Sequence, residues 1–196
     1  MSGESSSSIQ SVEQKLNVAK QKKETADQAF KLGEVKDALR SYHESLMYLL
    51  GLDKNALKSM GMVTQPASTE DAKDGKAQEK TEVDEMVEKI YSNMAACHIK
   101  NGNWKRATEA AEKALAKNEN NYKAMFRKGK ALGEQGFFEK AEKVLEDLKT
   151  KNPTDAGIAD QEIARLRVID KEREKASKQQ FKGFLNKGKT IEQPAS

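Results

Sequence analysis

With 196 residues and a net charge of +4, the chain has room for one domain, or for one domain with tails. Only 36% of residues are hydrophobic and 6% aromatic, against 34% charged; that is lean for a compact globule and ordinary for a helical solenoid with much surface. No apolar run is long enough to span a bilayer, MSGESSSSIQ lacks the regions of a signal peptide, and one cysteine, Cys97, excludes an intramolecular disulfide, so a cytoplasmic or nuclear location is expected.

In chain order, residues 1–11 are Ser-rich and are expected to be disordered. A helical pattern starts near Val12, with Leu16, Ala19, Lys23, Ala26 and Phe30 on related faces, and ends at Gly33. Its partner helix runs from Val35 to about Leu52, with Ala38, Leu39, Tyr42, Leu46 and Leu49 recurring at threes and fours. The stretch from Gly61 to Thr81 is polar and without apolar periodicity, and reads as a flexible insertion. The next helix starts near Val83 and stops at Asn101-Gly102; another carries Trp104, Ala107, Ala110, Ala111, Ala114 and Leu115. After a turn over Asn118–Asn121, a helix from Tyr122 turns at Gly136, and its partner from Phe138 ends at Asn152-Pro153, because proline cannot continue a helix. Asp155 is a candidate cap for a last helix over residues 154–186, with a disordered tail over 187–196.

A period underlies these elements. Gly102 and Gly136 are 34 residues apart, and so are Ala107 and Ala141. Gly33 and Ala38 repeat the same Gly-to-Ala spacing of five once the insertion is removed. Ala26, Ala95 and Gly129 share a second position, where closely crossing helices need little side-chain volume. A helix-turn-helix repeat of this length is that of the tetratricopeptide family. The expected fold is all-α: three such repeats over residues 12–153 in a right-handed superhelix, followed by a long C-terminal capping helix. Such stacks leave a concave binding face, which points to a protein–protein adaptor rather than an enzyme.

The first helix of each repeat lines that face. On these helices Lys23, Asn93, Lys123 and Arg127 are polar and converge, and Lys123 and Arg127, four residues apart, share one side of their helix. Three cations and an amide form a site for carboxylates, which arginine grips with paired hydrogen bonds and lysine holds as a point charge. These positions resemble the dicarboxylate clamp of tetratricopeptide co-chaperones. YSNMAACHIKNGNWKRA and YKAMFRKGKALGEQG are similar to the repeat domain of large immunophilins, and SYHESLMYLLGLD to the tetratricopeptide repeat protein nine family. The resemblance spans about residues 15–185. It implies an adaptor gripping the Glu-Glu-Val-Asp tails of the cytosolic ninety- and seventy-kilodalton heat-shock chaperones, with Lys23 and Asn93 on the terminal carboxylate. Lys123 and Arg127 would hold side-chain carboxylates or backbone of the last residues, and Phe30 and Ala96 are further groove-lining positions. The chain departs from the family at Asp27, where the clamp has asparagine. A carboxylate there repels the ligand's own. Pairing of Asp27 with Lys23 would blunt the clamp, whereas pairing with Lys31 would leave it usable.

The alternatives are of other kinds. One is a repeat scaffold whose clamp is inactive and which binds a different partner. Another is calmodulin or an acidic membrane surface at the C-terminal helix, where Phe181, Phe184 and Leu185 lie among lysines. The net charge also resides there: seven basic and three acidic residues follow Asp170, so the rest of the chain is balanced, which argues against a nucleic-acid-binding face. Cys97 and His98 are helix neighbours and point apart, two histidines and one cysteine give no zinc spacing, and no phosphate loop or nucleophile elbow occurs. No cofactor or metal is expected.

Overall fold

The computed structural model describes residues 3–52 and 81–189, with side chains over 11–52 and 81–184. Among them run seven α-helices: α1 (Gly3–Leu32), α2 (Val35–Leu50), α3 (Glu82–Lys100), α4 (Trp104–Lys117), α5 (Tyr122–Glu134), α6 (Phe138–Lys151) and α7 (Ala156–Lys189), with a 3₁₀ turn at Pro153–Asp155 before the last. No helix among the described residues is long and apolar enough to cross a membrane. The chain divides into two compact units, residues 1–128 and 129–196.

The three glycines of the repeat do the same thing in each copy. Gly33, Gly102 and Gly136 have φ of 87°, 67° and 89°, in the left-handed region that costs a glycine nothing. Each closes its helix with the same two bonds. At the first, Gly33 N donates to Phe30 O at 3.1 Å and Glu34 N to Ala29 O at 2.9 Å; Asn103 N to His98 O and Phe137 N to Leu132 O repeat the longer link. The chain then re-enters helix one residue later.

In the first unit α1 packs on α2, α3 on α4, and α2 on α3. Leu16, Ala19, Ala26, Ala38, Tyr42, Leu49, Val87, Ile90, Ala95 and Cys97 form its dry centre. Ala26 and Ala95 are wholly buried, as the repeat spacing requires. In the second unit a Cβ built on Gly129 would lie 2.6 Å from Leu145 Cγ, and one on Gly133 2.3 Å from Leu166 Cδ1. Only glycine admits these side chains. Arg165 ties the unit together, donating to Glu162 at 2.6 Å and Glu134 at 2.7 Å.

Three boundaries differ from the sequence reading. Helix α1 starts at Gly3, whereas the sequence pattern places its start near Val12. Serine costs only a few tenths of a kcal/mol in a helix, and extending a formed helix adds one bond per residue fixed. Thr81 is not the end of a polar insertion but the cap of α3: its Oγ1 accepts from Asp84 N at 3.1 Å while Asp84 accepts from Thr81 N at 3.4 Å. Residues 61–80 of the expected insertion lie outside the described residues, as do 190–196 of the expected tail. Asp155 does not cap α7 but accepts from Asn152 Nδ2 at 2.9 Å, and α7 continues to Lys189.

Candidate functional site

The five polar positions of the first helices all fall in the first unit. Lys23 and Asp27 are on α1, Asn93 on α3, and Lys123 and Arg127 on the first two turns of α5. Two small, wholly buried residues, Ala26 and Ala95, stand beside Asp27 and two residues past Asn93. Side chains of α1 and α3 meet here, Asn93 Nδ2 lying 3.1 Å from Asp27 Oδ1.

Asp27 is the centre of the cluster. Its Oδ2 accepts from Lys23 Nζ at 2.6 Å, and its Oδ1 accepts from Asn93 Nδ2 at 3.1 Å and from the hydroxyl of Tyr42. One carboxylate thus collects donors from α1, α2 and α3. Burial pushes its pKa up, but bonds from Lys23 and Tyr42, the Lys23 charge and Asn93 outweigh this and hold it below the usual carboxylate range. Asp27 is therefore ionised at neutral pH. Tyr42 is buried, and burial followed by its bond to Asp27 raises its pKa, so it stays a donor.

Arg127 is fixed on the other side. Its Nη1 donates to Ser92 O and to Ser92 Oγ, both at 2.7 Å. Burial lowers its pKa, from a value so high that the guanidinium stays charged. Asn121 caps the same helix, accepting from Ala124 N at 2.9 Å, and is itself held by buried Glu88 at 2.8 Å. The start of α5 is thus positioned by hydrogen bonds to α3. Lys123 is exposed and in no hydrogen bond or ion pair among the described residues. Phe30 is partly buried, with Lys100 Nζ 5.5 Å from its ring centre, and Ala96 is partly exposed one turn beyond Asn93.

The structure therefore joins Lys23, Asp27 and Asn93 directly. Arg127 is anchored to the residue before Asn93, and Lys123 is left free. The Asp27 partner is Lys23 and not Lys31. Sequence reading missed two members, Tyr42 and Ser92. A signal existed for Tyr42: the equivalent positions of the other repeats are Ala111 and Leu145, and a buried tyrosine needs a partner for its hydroxyl. Ser92 offered none beyond its neighbour Asn93. Cys97 is buried beneath the cluster, and burial pushes its thiol up to about 11, which keeps it unreactive.

Residues 98–160 match the tetratricopeptide repeat family. FK506-binding protein 5 of Rhizopus delemar is 26% identical over 129 residues, 66% of this chain and 28% of that protein, so the chain spans little more than a quarter of the relative's length. Among solved structures, the C-terminal repeat domain of an FK506-binding protein of Plasmodium falciparum is similar with a TM-score of 0.63 at 23% identity, covering 84% of this chain and 95% of that one. The first repeat domain of Spaghetti (RPAP3), solved bound to the HSP90 peptide SRMEEVD, is similar with a TM-score of 0.55 at 18% identity, covering 79% and 96%. The repeat glycines, the paired helices and these likenesses agree: residues 98–160 match the tetratricopeptide repeat family, and the chain's all-α fold is similar to that of the repeat domain of an FK506-binding protein.

Proposed function

We propose that the chain is an interaction adaptor that takes an acidic C-terminal peptide on its first helices, with Asp27 acting as a built-in competitor for the terminal carboxylate. The observation that supports this is the convergence of Lys23 and Asn93, from separate helices, on a single carboxylate. The groups that hold Asp27 have the chemistry to hold a ligand's carboxylate. Lys23 keeps further ammonium protons, Asn93 keeps a second amide proton, and Lys123 and Arg127 supply two more charges. The five residues carry a net charge of +2, which suits a peptide with several carboxylates. A tail ending in Glu-Glu-Val-Asp, such as that of the HSP90 peptide bound by the similar repeat domain, fits this chemistry. The HSP70 peptide SGPTIEEVD, solved with the second repeat domain of human RPAP3, has the same ending, so tails of that class are partners of the same kind.

A second reading has its own observation. The 2.6 Å Lys23–Asp27 pair removes the strongest partner of a terminal carboxylate, so the chain could be a scaffold whose clamp is closed. Calorimetry with a Glu-Glu-Val-Asp peptide separates the two. On the first reading the wild-type chain binds, amidation of the peptide weakens binding, and Arg127→Ala or Lys123→Ala costs about tenfold or more, as expected for a lost charge-assisted bond. On the second, only Asp27→Asn binds. No binding by either protein refutes the clamp altogether.

A further inference from the structure

A second binding surface lies in the first unit, away from the carboxylate cluster. Tyr91, Met94 and His98 are on α3, each turned about 100° or more around the helix from Asn93. With residues of α2 and α4 they enclose an open groove of about 590 Å³. Its floor is apolar and buried: Leu46, Met94 and Ala110. One wall is apolar and bare, since Met47 is 77% exposed and Leu50 62% exposed. Two large side chains next to each other in water are unusual on a helix whose buried residues already include Leu46 and Leu49.

The opposite wall is polar and cationic. Arg106, Glu109 and Lys113 come from α4, and His43 from α2. Neither Arg106 nor Lys113 is in an ion pair among the described residues; Lys113 Nζ instead lies 5.5 Å from the centre of the Tyr91 ring. Their charge is available. His98, at the groove's edge, is largely buried, and burial followed by the nearby Arg106 and His43 lowers its pKa, which keeps it neutral at physiological pH.

We infer that this groove docks a segment of another protein carrying bulky apolar side chains flanked by carboxylates. The apolar side chains would cover Met47 and Leu50 over the Leu46–Met94–Ala110 floor, and the carboxylates would face Arg106 and Lys113. The volume admits several side chains, and the openness of the bare wall selects a peptide over a small molecule, which would leave Met47 and Leu50 wet. The site shares no residue with the carboxylate cluster and does not depend on the proposed clamp.

Panning a random-sequence peptide library displayed on phage against the full chain tests this. Selected peptides should combine acidic residues with large apolar ones. By calorimetry they should bind Leu50→Glu and Arg106→Glu, both exposed substitutions compatible with folding, about tenfold or more weaker than wild type. They should bind Arg127→Ala unchanged, and should shift the Met47 methyl resonance but not that of Met125. The inference is overturned if no peptide is selected, if the two groove variants bind as well as wild type, or if only Arg127→Ala weakens binding. It also falls if the Met47 resonance moves with protein concentration or on removal of residues 53–80, because the groove would then be filled by a second copy or by the chain itself.

Discussion

At the scale of single residues, Asp27 decides how the candidate site behaves. Its carboxylate is held below its ordinary pKa, so its contribution to stability is present above about pH 4 and is lost as pH falls through the folded-state value. Asp27→Asn removes that dependence. In urea titrations across the acid range, the variant's stability should fall less steeply than that of wild type below about pH 4. At neutral pH the same change should cost about 1–3 kcal/mol, since bonds from Lys23 and Tyr42 to a charged acceptor become bonds to a neutral amide. Peptide affinity should move the other way and tighten, because a like charge leaves the site. Lower stability with higher affinity in one variant is the signature of a site whose order is held by its own competitor. A variant weaker in both would mean that Asp27 only braces the helices.

At the scale of elements, the turns and the crossings use glycine for different reasons, and the two can be separated. At Gly102 an added Cβ would meet nothing within 4 Å, yet φ is 67°. Gly102→Ala should therefore cost about 1–2 kcal/mol through backbone conformation alone. At Gly133 the backbone is helical, but the Cβ would fall 2.3 Å from Leu166 Cδ1. Gly133→Ala gains helix propensity of about 1 kcal/mol and meets a clash that overpacking places at about 1–3 kcal/mol, so net destabilisation is expected. Shortening the neighbour should reverse part of it: Leu166→Ala combined with Gly133→Ala should lose less than the two single changes added together. The same pairing at Gly102 has no partner to shorten. Thermal unfolding of the four proteins measures this directly.

At the scale of the whole molecule, the basic character is separable from the candidate site. Residues 171–184 of α7 are all exposed, Phe181 and Phe184 among them. Arg173 nevertheless has a structural part, donating to Gly133 O at 2.9 Å and Glu134 O at 3.0 Å at the end of α5. Ending the chain after Lys175 keeps that link and takes away four lysines and one glutamate, bringing the net charge from +4 to +1. The thermal midpoint should hardly change, and calorimetric binding of a Glu-Glu-Val-Asp peptide should be unaltered. Loss of binding on truncation would place the peptide on the C-terminal helix and remove support for the site on the first helices.

The sequence by itself determined the repeat. A Gly-to-Ala spacing of five, recurring at 34 residues, is a local property: positive φ at Gly33, Gly102 and Gly136 and zero exposure at Ala38, Ala107 and Ala141 follow from residue size and backbone freedom. It also put Lys23, Asn93, Lys123 and Arg127 on first helices, because register within a repeat fixes which face a residue takes. What it left open was the partner of Asp27. Lys23 and Lys31 are each four residues away on the same helix, so helical spacing offers both. The choice falls to Tyr42, fifteen residues on, and Asn93, sixty-six residues on, which fix the other carboxylate oxygen and leave Oδ2 turned toward Lys23. Only the packing of α1 against α2 and α3 brings those donors together. The groove beyond α3 was equally hidden, since it is lined by residues of α2, α3 and α4 that only the folded chain brings together.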